Sequence, residues 1–259
     1  MVHEIAASLT VGLLSGIASG LLGVSPGGGL VVFSALLLGV GQHVAQGVSL
    51  IAQVAPMGLA GVRRYRAKVG RAPTRWLVLL AIGFLFGGVV GALGAASVSG
   101  TVLRWAYVAY LVALDALMLL RAVRHAPSDA HGRKDARISS SALLAVGLAG
   151  GVSSGFLGIG GGLAITIGLG AVLKAPQHQA QLVSLVLSAV PTTLPATFVY
   201  WRAGWTTPWP IVAAVVLGLC GGTDVGARLA NRIDQTTLRR LAIGFVSAMA
   251  IAMALKAVG

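Results

Sequence analysis

The sequence predicts an all-α polytopic membrane protein, built from two inverted-topology repeats of about five helical segments each, with glycine-interrupted helices near the midplane. Three observations predict this fold class. The chain is 56% hydrophobic and only 10% charged, whereas soluble domains are about 25% charged. A polar motif occurs twice, each time after a glycine cluster. Basic residues are confined to short gaps between apolar runs.

The repeated motif reads QHVAQGVSL at residues 42–50 and QHQAQLVSL at residues 177–185. Seven of the nine positions are identical at an offset of 135 residues, and the same offset aligns the two glycine clusters. A polar stretch separates the halves, and its composition is typical of an exposed connection. We therefore predict a first membrane repeat at 1–124, a linker at 125–141 and a second membrane repeat at 142–259.

Each repeat divides into five apolar segments, which we label a to e and a′ to e′. Most approach or reach the roughly 20 apolar residues that a spanning helix needs, but b and b′ are short. We therefore expect the break between a and b to lie within the membrane. The predicted segments are a 5–23, b 30–40, c 43–62, d 76–97, e 102–123, a′ 141–159, b′ 163–173, c′ 178–200, d′ 208–229 and e′ 238–258.

The distribution of the net charge of +13 predicts that the repeats are inverted. Six basic residues lie between c and d, but only Arg202 lies between c′ and d′. Four basic residues lie in or beside the d′–e′ gap (Arg228, Arg232, Arg239 and Arg240), but only Arg104 lies beside the d–e gap. Because cytoplasmic loops are enriched in Lys and Arg, equivalent gaps should lie on opposite sides. We expect a bacterial inner-membrane protein with a cytoplasmic linker. Parity leaves ten spans, or six spans with two re-entrant hairpins, as alternatives.

Several functional classes are disfavoured by composition. Cys220 is the only cysteine, which excludes a disulfide or a thiolate zinc site within one chain. The chain has no GxxxxGK loop and no nucleophile–base grouping, so we predict that it is not an enzyme and needs no cofactor. A metal pair formed by His43 and His178 lacks a repeated acidic ligand, so no metal is expected. The expected partners are a small anion and the lipid bilayer, not nucleic acid, in a monomer or homodimer.

The glycine clusters precede the short segments b and b′. Inverted repeats with interrupted helices are typical of secondary transporters, whose binding sites lie near the midplane. The first N–H groups of b and b′ would lack helical partners and would suit an anion. The alternative is that the glycines only permit close helix packing, which we prefer for Gly83, Gly87 and Gly91. The predicted substrate-binding glycines are Gly27, Gly28, Gly29, Gly160, Gly161 and Gly162.

Polar side chains form a stripe along segments c and c′. At about 100° per residue they fall within one face of each helix, which should contact protein or water rather than lipid. The alternatives are ligand binding and hydrogen bonding between c and c′. We predict substrate contacts for Gln46, Ser49, Gln181 and Ser184. Gating or secondary roles are predicted for His43, Gln53, Pro56, His178, Ser188, Pro191 and Thr192.

Prolines and carboxylates interrupt otherwise apolar segments. Pro56, Pro191 and Pro195 should kink c and c′, either as hinges or as static bends. Asp115 and Asp224 are the only carboxylates within apolar segments, and an intramembrane acid is a candidate proton carrier. Asp224 has Arg228 at i+4 as an ion-pair partner, so we favour structural pairing there and leave the role of Asp115 open.

The glycine motifs carry a family resemblance. SGIASGLLGVSPGGG at 15–29 and SSGFLGIGGG at 153–162 are each followed by HxAQxVSL and then by Tyr65 or Tyr200. This pattern resembles the sulfite exporter TauE/SafE family of bacterial inner-membrane permeases over nearly the whole chain. The resemblance places the family's glycine motif at Gly23, Gly27, Gly28, Gly29, Gly158, Gly160, Gly161 and Gly162, and its small polar position at Ser49 and Ser184.

The resemblance implies transport, usually outward, of sulfite, organosulfonates such as sulfoacetate, or thiosulfate. Together with the broken helices, it predicts a secondary transporter that works by alternating access at the repeat interface. Two alternatives stay open, an anion channel and a permease for a non-sulfur organic anion. A channel would conduct without counterflow or coupling.

Overall fold

The structure, a computed structural model, describes residues 2–22, 25–55, 72–123, 138–230 and 232–258. Regular structure in these ranges is entirely helical, which confirms the predicted all-α class. The helices are α1 (Val2–Leu22), α2 (Gly27–Leu37), α3 (Gln42–Ala52), α4 (Thr74–Ala96), α5 (Gly100–Val123), α6 (Ser140–Leu157), α7 (Gly162–Ile167, continued by a π-helical turn, Gly168–Val172), α8 (Gln177–Ala189), α9 (Leu194–Arg202), α10 (Trp209–Ala230) and α11 (Gln235–Val258).

Six of the described helices are long and apolar enough to cross a bilayer, namely α1, α4, α5, α6, α10 and α11. A helix of 20 residues is about 30 Å long, which matches the hydrocarbon core. The outward faces of these helices carry large apolar side chains, such as Phe86, which is 68% exposed. Such faces suit contact with lipid. At 11 residues, α2 is about half the length of a span.

Segments c and c′ differ from their predicted extents. The helix at c ends at Ala52 and the chain turns at Gln53, because Pro56 has no N–H to donate to the Ala52 carbonyl group. Residues 56–71, including Pro56 and Tyr65, lie outside the described ranges, as do Gly23 and the side chain of His178. Segment c′ forms two helices, α8 and α9, bent by 44°. Pro191 lies in this break, so the predicted kink is confirmed.

The long helices pack in two pairs, α1 with α10 and α4 with α6. Glycines four residues apart bring the backbones together: a Cβ on Gly16 would lie 2.5 Å from the Leu219 carbonyl oxygen, and one on Gly147 would lie 2.5 Å from that of Leu80. Backbone therefore meets backbone in each pair, as in small-residue contacts between membrane helices. The close-packing role predicted for three glycines is confirmed. The glycines are Gly12, Gly16, Gly20, Gly218, Gly222 and Gly226 in one pair, and Gly83, Gly87, Gly91, Gly147, Gly151 and Gly155 in the other.

The contacts of the two pairs correspond at the offset of 135 residues. Gly83 packs against the carbonyl oxygen of Leu144, and Gly218 packs against that of Leu9, its counterpart. Each of the other glycines in these pairs also contacts the counterpart of the residue that its own counterpart contacts. In each pair, therefore, the first helix of one half packs against a long helix of the other half, and the two helices run parallel.

Contacts at the helix ends define two ends of the bundle. At the first, the ring of His43 lies 4.2 Å from that of Trp205 and its Nε2 lies 3.0 Å from the Ala95 carbonyl oxygen. We call this the Trp205 end. At the other, Arg75 donates a 2.7 Å hydrogen bond to the Ser140 hydroxyl; we call it the Ser140 end.

The half-length helices α2 and α7 begin in the interior and lead to opposite ends. α2 leads to the Trp205 end, where the ammonium group of Lys256, near the end of α11, contacts the Ala35 carbonyl oxygen. The π-helical turn after α7 leads to the Ser140 end, where Leu169 and Ala175 share a core cluster with Ile138. The glycine breaks that start these two helices therefore meet inside the protein.

Candidate functional site

The glycine breaks of the two halves are joined by hydrogen bonds. The Ser25 hydroxyl donates to the Ile159 carbonyl oxygen at 2.9 Å. The Ser49 hydroxyl lies 2.6 Å from the Gly158 carbonyl oxygen and 3.3 Å from that of Gly27. Because Gly27 belongs to the first break and Gly158 to the second, α3 holds both.

Backbone conformation explains two of the glycines in the second break. Gly158 has φ +69° and Gly160 has φ +72°, in the left-handed region that glycine adopts without a Cβ penalty. Space is restricted as well: a Cβ on Gly160 would overlap Oε1 of Gln53, and one on Gly158 would lie 2.8 Å from Cβ of Gln46. The residues of α3 therefore pack directly on this break.

Gln53 completes the link between the breaks. Its amide nitrogen lies 3.0 Å from the Ser49 hydroxyl and 3.3 Å from the Gly158 carbonyl oxygen. Its amide oxygen accepts from the Ser25 hydroxyl at 3.3 Å. The polar stripe of α3 is thus used to hold backbone in place.

The equivalent serine of the second half makes an equivalent contact. The Ser184 hydroxyl donates to the Gly162 carbonyl oxygen at 2.7 Å; at the same offset, the Ser49 hydroxyl lies 3.3 Å from the Gly27 carbonyl oxygen. One helical turn further, the Ser188 hydroxyl donates to the Ser184 carbonyl oxygen. In both halves, therefore, a serine on the helix after the break bonds the first residue of the half-length helix.

A cavity of about 40 Å³ lies beside the joined breaks; we call it the Ser15 cavity. On the same measure a water needs about 10–15 Å³, so the cavity has room for roughly three non-hydrogen atoms. We call the wall formed by Ser15, Ser19, Ser25, Gly28, Gly29 and Gly160 its polar side, although most of the surface that the cavity exposes is apolar. Its apolar side includes Tyr110, Leu111, Leu114, Phe245, Val246 and Met249.

The polar side of the cavity carries unused hydrogen-bond donors. Ser15 is 1% exposed and its hydroxyl has no hydrogen-bond partner among the described residues. α2 begins here with no side-chain cap, and its first helical bond runs from Leu30 N–H to Pro26 O. The earlier N–H groups of α2 therefore have no helical acceptor, and they lie at the positive end of the helix dipole.

The apolar side comes from equivalent positions on α5 and α11. Tyr110, Leu111 and Leu114 on α5 correspond at the offset of 135 to Phe245, Val246 and Met249 on α11. Nearby, the buried Tyr107 hydroxyl donates to the Gly28 carbonyl oxygen at 2.8 Å, which fixes the first break from this side. The cavity thus lies between matching faces of the two halves.

The surroundings of the second break differ from those of the first. A Cβ on Gly161 would overlap the ring of Phe84, which is 3% exposed. Pro26, the counterpart of Gly161, lines the Ser15 cavity instead. An aromatic ring therefore fills the space beside the second break.

The predicted substrate-binding residues separate into three groups. Gly28, Gly29 and Gly160 line the Ser15 cavity. Gly27, Ser49, Gly162 and Ser184 form the hydrogen bonds that hold the breaks, and Gly161 packs on Phe84. Gln46 is buried, with its amide oxygen 2.8 Å from the Tyr200 hydroxyl, and Gln181 is half-buried on α8.

The residues predicted to gate or assist lie in several places. His43 packs on Trp205 at the Trp205 end, and Gln53 joins the breaks. Thr192 donates to the Leu187 carbonyl oxygen, and Pro191 is exposed in the bend between α8 and α9. His178 lies in α8. Gln53 and Ser188 contact residues of the breaks.

The two intramembrane carboxylates have different environments. Asp224 forms a 2.6 Å ion pair with Arg228, and their side chains are 62% and 78% exposed, so the expected pairing is confirmed. Asp115 accepts a 2.6 Å hydrogen bond from the Ser247 hydroxyl at Oδ2, while Oδ1 is buried without a hydrogen-bond partner in the described part of the chain. Asp115 lies next to Leu114 of the Ser15 cavity.

Sequence reasoning did not assign the serines of the cavity. Ser15 and Ser19 are four residues apart on α1, so they share a face of that helix, and this spacing was the available signal. Ser25 lies directly before the first glycine triplet. Residues 138–230 and the other described ranges contain no group of three His, Cys, Asp or Glu residues arranged to hold a metal ion.

Comparison with known proteins identifies the family. The model of the sulfite exporter TauE/SafE family matches residues 8–253, nearly the whole chain. No curated protein and no solved structure matches. Family membership implies a membrane transporter of sulfite or other sulfur anions, and six apolar helices of spanning length make the chain a multi-pass membrane protein. The chain belongs to the sulfite exporter TauE/SafE family.

Proposed function

We propose that the protein is a secondary transporter, acting as an exporter, that binds one small sulfur-containing anion in the Ser15 cavity. The substrate class is sulfite, thiosulfate or an organosulfonate such as sulfoacetate. The observation that carries this proposal is the buried Ser15 hydroxyl, which has no hydrogen-bond partner among the described residues and lies beside the uncapped start of α2. Backbone N–H groups at a helix start, together with a hydroxyl donor, suit an anion.

The cavity chemistry fits a transported anion. The polar side offers hydroxyl and backbone donors, and the residues that line it include no Lys or Arg. Such neutral donors bind an anion without the strong attraction of a buried cation, which favours release on the other side. The cavity has room for roughly three non-hydrogen atoms, against four in sulfite and five in thiosulfate, so it must widen to admit either anion, and further for an organosulfonate.

Two inverted repeats account for the matched contacts. The glycine contacts of the two long helix pairs correspond at the offset of 135 residues. The same offset relates the serine contacts with Gly27 and Gly162, and the cavity faces on α5 and α11. An inverted pair of repeats would place α2 and α7 on opposite sides of the midplane, with the anion between them. Movement of one half against the other would then open the cavity alternately to each side.

The charge distribution supports an orientation in the membrane. Arg75 lies at the Ser140 end, and most of the basic gaps of the sequence adjoin helices that reach this end. We therefore place the Ser140 end and the linker at 125–141 in the cytoplasm of a bacterial cell, with the chain in the inner membrane.

The proposal is tested by uptake of labelled sulfite, thiosulfate and sulfoacetate into proteoliposomes containing the full chain. A Gly28→Ala variant adds a methyl group at the cavity wall, where its Cβ would meet no atom closer than 3.7 Å, so folding should be preserved while uptake falls. Gly244→Ala is the matched control, because a Cβ at this position on α11 meets no atom within 4 Å.

Saturable uptake with counterflow, reduced in Gly28→Ala and unchanged in Gly244→Ala, is the expected result. Flux without counterflow would instead identify a channel. If none of the three anions moves through correctly inserted protein, the sulfur-anion assignment is wrong.

A further inference from the structure

A carboxylate lies between α5 and α11 beside the Ser15 cavity. Oδ2 of Asp115 accepts from the Ser247 hydroxyl at 2.6 Å, and Oδ1 is buried without a hydrogen-bond partner among the described residues. Leu111 and Leu114 on α5 line the cavity, as does Val246 on α11. Asp115 therefore lies about one helical turn from the cavity wall.

The repeat offset places this carboxylate near the centre of the protein. Ser247 corresponds to position 112 in the first half. In inverted halves, equivalent positions lie at equal heights on opposite sides of the midplane, and the hydrogen bond puts Asp115 level with Ser247. Position 112 and Asp115 therefore lie at equal distances from the midplane, on opposite sides of it. Because they are three residues apart on α5 and a helix rises 1.5 Å per residue, Asp115 lies roughly 2–3 Å from the midplane.

Charge around Asp115 is sparse. The described residues give Asp115 no ion-pair partner, and α5 packs against α11, α3 and α6. Lys256 is held at the Trp205 end by the Ala35 carbonyl group, and His43 lies at the same end. α6 carries no ionisable side chain. The other ionisable groups that the structure describes on α5 and α11 are Arg104 at the Trp205 end, Tyr107 on Gly28, Tyr110 in the cavity wall and the exposed Arg240.

We propose that Asp115 binds the proton that is transported together with the anion; this inference rests on the proposed function. Oδ1 of Asp115 has no hydrogen-bond donor among the described residues, so this oxygen is open to a proton. A proton there offsets the like charge that an anion brings into the neighbouring cavity. By reciprocity, protonation of Asp115 favours anion binding, and the two ligands therefore cross together.

The proton balance of the cycle is simple. A proton from the solution on one side binds an Asp115 carboxylate oxygen as the anion enters the cavity. After the cavity opens to the other side, the anion dissociates and the proton leaves to that solution. A dianion then moves with one proton as a single net negative charge.

The test uses proteoliposomes with an entrapped pH-sensitive dye and labelled thiosulfate, which stays a dianion near neutral pH. The parent is expected to move about one proton with each thiosulfate, in the same direction. Asp115→Asn, a permanently neutral isostere, should still move thiosulfate, with a proton-to-anion ratio near zero. Asp224→Asn is the matched control, because that carboxylate is exposed and paired with Arg228, and its ratio should equal that of the parent.

An unchanged ratio in Asp115→Asn overturns the inference, as does thiosulfate movement without protons in the parent. In either case, anion flux in the parent would leave the proposed function intact. The absence of flux for every sulfur anion in the parent would instead refute the proposed function, and this inference with it.

A measurement on the parent alone covers the case in which Asp115→Asn does not fold. Thiosulfate is added to detergent-solubilised protein in weakly buffered solution at several pH values. Thiosulfate binding should take up protons from the solution. Thiosulfate binding with no proton uptake at any pH from about 5 to 9 contradicts the inference.

Discussion

The Ser49 hydroxyl donates a 2.6 Å hydrogen bond to the Gly158 carbonyl oxygen, across 109 positions of the sequence. Ser49 lies on a helix of the first half, and Gly158 begins the glycine break of the second. The same hydroxyl lies 3.3 Å from the Gly27 carbonyl oxygen of the first break. One side chain therefore positions backbone from both halves beside the Ser15 cavity.

Replacing Ser49 should cost more stability than replacing its counterpart. Ser49→Ala removes the 2.6 Å bond to the Gly158 carbonyl oxygen and the acceptor of the Gln53 amide, and each lost hydrogen bond costs about 0.5–1.5 kcal/mol. Ser184→Ala affects only Gly162 and should cost less. Unfolding of purified variants in detergent measures the difference. Ser153→Ala is the control, because that exposed hydroxyl only bonds within its own helix; equal losses for Ser49→Ala and Ser153→Ala would contradict the assigned role.

Adjacent glycines on α10 should respond oppositely to alanine. A Cβ on Gly222 would overlap the Leu13 carbonyl oxygen, whereas one on Gly221 meets no atom within 4 Å. Because the obstacle is backbone, Gly222→Ala must separate α1 from α10 and should lose at least about 2 kcal/mol of unfolding free energy. Gly221→Ala should be neutral or slightly stabilising. Thermal unfolding gives the melting temperatures of the two variants. Similar melting temperatures would show that α1 and α10 are not tightly packed at Gly222.

Part of this fold could be predicted from sequence, because the evidence was local or periodic. Apolar runs predicted the long helices, and glycines four residues apart, such as Gly83 and Gly87, predicted close packing on one face. The partner of that face could not be predicted. Packing of α4 on α6, rather than on a helix of its own half, depends on contacts between distant parts of the chain.

The site was predicted less completely. The glycine breaks were recognised, and Gly28, Gly29 and Gly160 do line a cavity. The polar stripe predicted ligand contacts for Ser49, but its hydroxyl bonds backbone. Periodicity shows that one face of a helix is polar. It does not show whether the hydrogen-bond partners of that face are a ligand or backbone carbonyl groups. Ser15 is not assigned by such reasoning, because a serine on an apolar helix often bonds its own backbone, as Ser8 of the same helix does.

The inverted topology predicts that equivalent gaps react from opposite sides of the membrane. On a Cys220→Ala background, Ala203→Cys at the Trp205 end should react with a membrane-impermeant thiol reagent in intact cells. Thr74→Cys, in the equivalent c–d gap at the Ser140 end, should react only after permeabilisation. Both positions are exposed, so access to the side chain does not limit either reaction. Labelling of both from one side would contradict the inversion.

The difference between the breaks predicts one bound anion per chain. Phe84 fills the space beside Gly161, whereas the matching side of the first break adjoins the Ser15 cavity. Equilibrium dialysis with labelled thiosulfate should therefore saturate at one anion per chain. Two anions per chain would show that the second break also binds substrate. Phe84→Ala, which empties this space, should cost about 3–5 kcal/mol of stability.

Binding of the anion in the Ser15 cavity is tested most directly by the KM for thiosulfate uptake in a Ser15→Ala variant. The Ser15 hydroxyl has no partner in the described protein, so its removal should leave the melting temperature unchanged. Loss of a hydrogen bond to an anion costs about 1.5–3 kcal/mol, so KM should rise roughly 10- to 100-fold. Ser8→Ala on the same helix is the control, because that hydroxyl bonds the Glu4 carbonyl oxygen. A raised KM in Ser15→Ala alone is the predicted result, and the same KM in both variants and the parent would show that the anion binds elsewhere.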